Sequence, residues 1–80
     1  MPKLPRISSQ KLIKALLKLG FYIHHQVGSH IHLKHFSKTH LRVVIPAKRE
    51  SLSPKTLKSI LVQAEITIED LKKVIIINRK

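Results

Sequence analysis

Gln26-Val27-Gly28-Ser29-His30-Ile31-His32-Leu33-Lys34 reads as a tight turn feeding a β-strand, and the chain is organised around it. Gly28 permits backbone angles that a Cβ disfavours, and Ser29 offers a hydroxyl at the turn. From Ser29 to Leu33 polar and apolar residues alternate, so strand geometry sends Ile31 and Leu33 to one face. His30, His32 and Lys34 then share the other face. A half-buried strand normally carries mixed polar residues there. Two imidazoles and an ammonium suggest a surface that meets phosphate.

Outward from this strand the periodicity changes twice. Phe21 to Val27 is predicted to be the preceding strand, and its aromatic pair favours that conformation. Alternation fails at His24-His25, which as neighbours are expected to face opposite sides, one of them packing against helices as a neutral imidazole. Ser37-Lys38-Thr39-His40 suits a hairpin loop. Leu41, Val43 and Ile45 give the core face of a third strand, which ends at Pro46 because proline cannot continue a ladder.

The flanks are helical. Leu12, Ile13, Leu16 and Leu17 recur at helical spacing, with Lys11, Lys14 and Lys18 on the opposite, solvated face. Ser8 or Ser9 can cap this helix, and Gly20 stands where a left-handed C-terminal residue belongs. Past a charged loop from Ala47 to Leu52, Ser53-Pro54 opens a second helix with Leu57, Ile60, Leu61 and Ala64 on one side. Thr67 and Asp70 form a capping box for a short last helix through about Lys73. Met1 to Ile7, with Pro2 and Pro5, is an extended lead-in. Val74-Ile75-Ile76-Ile77 is a short edge strand, core under the last helix, or part of a protein contact.

This order predicts one α+β domain over residues 1–80: helix, three-stranded antiparallel sheet, helix, and a short C-terminal helix. Helices cover one sheet face, leaving open the face of His30, His32 and Lys34.

The formal charge is +12 and the pI near 10.7, and every acidic residue lies at or beyond Glu50. An acid-free first half points to a polyanionic partner, nucleic acid or an acidic protein. With no cysteine, disulfides and thiolate metal sites are excluded. No apolar run reaches signal-peptide or membrane-spanning length, so the expected location is the cytoplasm.

Gly28-Ser29-His30, the helix ending in Leu19-Gly20-Phe21, Val44-Ile45-Pro46 and the stretch from Leu52 to Ile66 occur here in one order. Together they resemble the HicA-type (YcfA-like) mRNA-interferase toxins, whose run Leu-x-x-Gly-Thr-Leu-x-x-Ile-Leu-x-Gln-Ala-Gly-Ile is similar to that last stretch. The resemblance implies a double-stranded-RNA-binding-domain-like arrangement, a metal-independent endoribonuclease acting on mRNA, and a cognate HicB-type antitoxin as partner. It assigns the general acid/base role to His30, with Gly28 and Ser29 presenting donors to the phosphate. Imidazole suits that role because its reference pKa of about 6.5 lets either form exist near neutrality.

Beside it, His32 is a second proton carrier, a phosphate contact or an ordinary surface residue. Lys34, Lys48 and Arg49 are candidate phosphate ligands, able to position a backbone without reading bases. Three residues depart from the family pattern: Lys48 where many relatives carry histidine, Lys55 for glycine before Thr-Leu, and Glu65 for glycine before Ile66. No cofactor or metal is expected. His30 and His32 have chelating spacing, but cationic neighbours and distant carboxylates oppose a divalent ion. The alternative is a non-catalytic module that recognises structured RNA by shape. DNA binding lacks a recognition-helix signature.

Overall fold

The computed structural model describes residues 7–77, with side chains through Ile75. In chain order its elements are α1 (Ser9–Lys18), β1 (Phe21–Val27), β2 (His30–His35), β3 (Arg42–Pro46), α2 (Pro54–Ala64) and α3 (Ile68–Ile77). β2 lies between β1 and β3 and runs antiparallel to both. The α+β layout expected from the periodicity is the observed one. The lead-in expected for Met1 to Ile7 lies outside the described residues except at Ile7.

Register explains which side of the sheet is dry. Ile31 pairs with Ile45 and Leu33 with Val43, so these four point together toward the helices. Leu33, Val43 and Ile45 are fully buried there with Leu12 and Leu16 of α1, Leu57 and Ile60 of α2, and Leu71 of α3. Each such side chain contributes about 1.5–3 kcal/mol by leaving water. The intervening residues Lys34 and Arg42 pair on the opposite face, as do His32 and Val44.

Three boundaries have identifiable causes. Ser8 is the N-cap of α1, its hydroxyl accepting from the Lys11 amide, which leaves Ser9 free for another use. Glu65 itself takes the left-handed conformation (φ 57°, ψ 40°) that glycine would supply, and the Ile66 amide closes the end of α2 on the Leu61 carbonyl. The capping box forms reciprocally: the Thr67 amide donates to Asp70 Oδ2 and the Asp70 amide to Thr67 Oγ1, both at 3.1 Å.

Two expectations are corrected. The last helix runs to Ile77 rather than stopping near Lys73. Leu71, Val74 and Ile75 fall at i, i+3 and i+4 and pack against the core, and that packing overrides the strand propensity of the aliphatic run. The side chains of Ile76 and Ile77 lie outside the described residues. His24 and His25 do not face opposite sides of a regular strand, because β1 carries a bulge between Ile23 and His25. The bulge inserts one residue into β1, and two residues there oppose one on β2.

The histidine that does pack with both ring nitrogens hydrogen-bonded is His35. Its Nδ1 accepts from the Ser37 and Lys38 amides (3.0 Å each) and its Nε2 donates to the Leu19 carbonyl (3.1 Å). The ring meets Phe21 edge-on, centroids 4.8 Å apart. At the far edge of the sheet, the Val44 amide on β3 donates to Gln63 Oε1 of α2 at 3.1 Å.

Candidate functional site

The β1–β2 turn is built from two residues, Gly28 and Ser29, between the paired Val27 and His30. Gly28 has φ +57°, and a Cβ there would meet nothing within 4 Å, so its glycine is required by backbone angle alone. The Gln26 amide side chain donates to the Gly28 carbonyl at 3.1 Å and steadies the turn. His30 leaves this turn exposed, at the first position of β2, opposite Pro46 of β3.

The loop after β3 closes against the same corner. The Ala47 amide donates to the Ser29 carbonyl at 2.7 Å. Behind it Ser9, only 1% exposed, donates its hydroxyl to the Pro46 carbonyl (2.5 Å) and accepts from the Arg49 amide (3.2 Å). The Ser9 amide also donates to the Arg49 carbonyl at 2.9 Å. One buried serine therefore ties residues 46–49 to the start of α1. Between these ties Lys48 is held with φ +61°, a conformation costing a non-glycine residue about 1–2 kcal/mol.

Gly28, Ser29, His30, Lys48 and Arg49 thus meet at one end of the sheet, but not on one surface. Lys48 and Arg49 line a groove of about 360 Å³ with Gln26, Ile31 and Ser9, on the helix side of the sheet. His30, His32 and Lys34 occupy the open face, as the alternation predicts. A polyanion crossing the turn would meet imidazoles on one flank and the loop cations around the rim.

The bulge adds a feature that a two-residue period does not reveal. The rings of His24 and His25 lie together, Nδ1 to Nδ1 at 2.6 Å, so a proton on one nitrogen bonds the other. The His25 ring stacks on His32 with centroids 4.3 Å apart and planes 10° from parallel. Partial desolvation holds the pKa of His32 below its ordinary value, reinforced by the positive fields of His25, Arg42 and His30. Desolvation likewise lowers His24, helped by Lys34, His25, Arg42 and His32. Both rings therefore favour the neutral, proton-accepting form.

Toward the other end of the same face, Tyr22 pairs with Phe36, centroids 4.7 Å apart and tilted by 37°. Phe36 is 72% exposed. Arg42 belongs to this face by the alternation of Leu41-Arg42-Val43, a signal that the sequence carries. No sequence signal separates Ser9 from Ser8, and the bulge shows only as the failure of alternation at His24-His25.

Among the described residues no group of three or more histidine, aspartate or glutamate side chains is placed to hold a metal ion. None of the described helices is long and apolar enough to cross a membrane.

Comparison with known proteins adds one finding. No curated protein matches the chain. A sequence profile described as the HicA toxin of bacterial toxin–antitoxin systems matches residues 9–66, from the first residue of α1 through the turn that ends α2. That span contains the glycine turn, the whole sheet and the tethered loop, and by this match over most of its length the chain belongs to the HicA toxin family.

Proposed function

We propose that this toxin is a metal-independent endoribonuclease that cuts mRNA, and that a cognate HicB-type antitoxin holds it inactive. The observation that carries the reading is His30, exposed beside a glycine turn on a sheet whose strands hold no carboxylate. Cleavage begins when a base removes the proton of a ribose 2′-hydroxyl. The resulting oxygen attacks the adjacent phosphorus, the bond to the 5′ oxygen breaks, and an acid returns a proton to that leaving oxygen. His30 carries one of these transfers. His32, two residues along the same face and biased to its neutral form, suits the accepting role.

Lys34 and the rim cations Lys48 and Arg49 stabilise charge on the phosphorane, and the amides and hydroxyl of the Gly28-Ser29 turn add donors. Lys48 stands where many relatives carry histidine. In this chain it supplies a fixed charge rather than a proton relay.

An acidic partner follows from the same electrostatics. A charge of +12 speeds association with an anionic surface and makes it sensitive to salt. Covering the His30 corner then excludes RNA.

His30→Ala tests the reading. Wild-type protein is expected to cleave mRNA in EDTA and to arrest growth on induction. The variant is expected to lose both while keeping its melting curve and its RNA affinity. Cleavage by His30→Ala within a few-fold of wild type would refute the assignment. RNA bound by wild-type protein but never cut would make the chain a binding module.

A further inference from the structure

The geometry points to a stacking site for unpaired RNA bases on the open sheet face, with Phe36 and Tyr22 at one end and the His25–His32 pair toward the other. Its place relative to the cut rests on the ribonuclease reading; the site itself rests on the side chains. The chain has two phenylalanines, one tyrosine and no tryptophan. Phe21 is buried in the core, whereas Phe36 stands 72% exposed beside Tyr22. A large ring left in water forgoes burial energy, and here it lies against the ring of Tyr22.

Both ring pairs lie on the side of the sheet away from the helices. β2 and the residue just beyond it space them: His32 and Phe36 are four residues apart, about 13 Å at strand rise, with Lys34 between them. Arg42 lies beside Lys34 on β3. No aspartate or glutamate occurs between Phe21 and Pro46, so the face carries rings and cations together.

That combination binds single strands. Base stacking needs exposed ring faces and tolerates any base, while cations beside the rings follow the phosphates. Bases inside an A-form duplex are already stacked and present no free face to a side chain. A module that reads duplex RNA by shape would require the cations without the rings. His30, at the head of the same strand, would receive the backbone of a chain whose neighbouring bases are held on these pairs.

Phe36→Trp supplies the probe, because it creates the sole tryptophan in the protein. Placed in the His30→Ala background, its fluorescence is expected to be quenched by a short unstructured oligoribonucleotide. Quenching should weaken when the same oligonucleotide carries abasic sites, which keep every phosphate. Phe36→Ala should lower affinity for unstructured RNA about tenfold, leave the salt dependence unchanged, and raise KM at constant kcat when His30 is present. Phe36→Trp should restore affinity.

Equal binding of intact and abasic RNA, an unchanged affinity in Phe36→Ala, or a preference for duplex RNA would overturn the stacking site. None of these outcomes touches the cleavage result for His30→Ala. Conversely, quenching by RNA that wild-type protein never cuts would keep the site and retire the ribonuclease. If Phe36→Ala impaired binding of an acidic protein partner while leaving RNA binding intact, the face would be a protein contact and the inference would fail.

Discussion

Gly20 and Gly28 both have positive φ, yet replacing them with alanine is expected to have different consequences. Gly28 at +57° has open space where a Cβ would go, so Gly28→Ala costs only the backbone conformation, about 1–2 kcal/mol, partly offset by a stiffer unfolded chain. Gly20 sits at +100°, and its Cβ would stand 2.7 Å from His35 Nε2. That ring cannot simply swing aside, since it is bonded at both nitrogens and packed on Phe21. Its displacement breaks the bond to the Leu19 carbonyl and loosens two amide donors, adding about 1–2 kcal/mol to the backbone term. The total for Gly20→Ala is therefore about 3 kcal/mol. At roughly 4–8 °C per kcal/mol for a domain of this size, the loss in Tm is on the order of 10–20 °C. Urea melts of a double-mutant cycle isolate the contact. In a His35→Ala background the Gly20→Ala penalty should shrink by the contact term, while the Gly28→Ala penalty should not change. Equal penalties in both backgrounds for Gly20→Ala would refute the claim that His35 is what that glycine accommodates.

Further perturbations act on other parts of the same architecture. Glu65→Gly removes a left-handed non-glycine residue at the end of α2 and should raise stability by about 0.5–1 kcal/mol in thermal melts; the exposed His40–Glu65 pair at 3.6 Å that it sacrifices contributes little. Ser9→Ala leaves the Pro46 carbonyl and Arg49 amide without their partner; it should cost about 2 kcal/mol and lower kcat by freeing Lys48 and Arg49. Stability should fall as pH drops below about 6.5, because His24 and His32 have depressed folded-state values and the unfolded chain binds those protons first. At lower pH, loss of the hydrogen bonds from Thr67 to ionised Asp70, whose pKa they depress, acts in the same direction. Replacing His24 and His32 together with glutamine should flatten the upper part of that profile, as followed by denaturant midpoints from pH 7.5 to about 5.

The sheet and its sidedness were legible because burial imposes a strict two-residue period: Ile31, Leu33, Val43 and Ile45 point inward as their spacing requires. The helices were legible for the equivalent reason at their own period. A bulge is a break in the count rather than a pattern, so the doubling of His24 and His25 on one side had no signature beyond the failure of alternation itself. His35 was unremarked because its role depends on the Leu19 carbonyl and two loop amides brought together by the fold. Ser9 and Ser8 are chemically identical, and only the approach of Pro46 and Arg49 distinguishes them. Of the readings open for the aliphatic run from Val74, core packing is the one Val74 and Ile75 follow, because tertiary contacts with α1 outweigh strand propensity.

The bond from the Val44 amide to Gln63 makes the two borders of the sheet unequal. An incoming strand at β3 would first have to strip that glutamine away, leaving a side chain and an amide to find new partners. Among the described residues no strand pairs with the outer border of β1, and its bulge divides it into segments too short and too twisted to template a long ladder. The molecule is consequently guarded against polymerising with its own copies. For so small a basic domain that protection matters, since every copy lost to fibrils is a copy withdrawn from service.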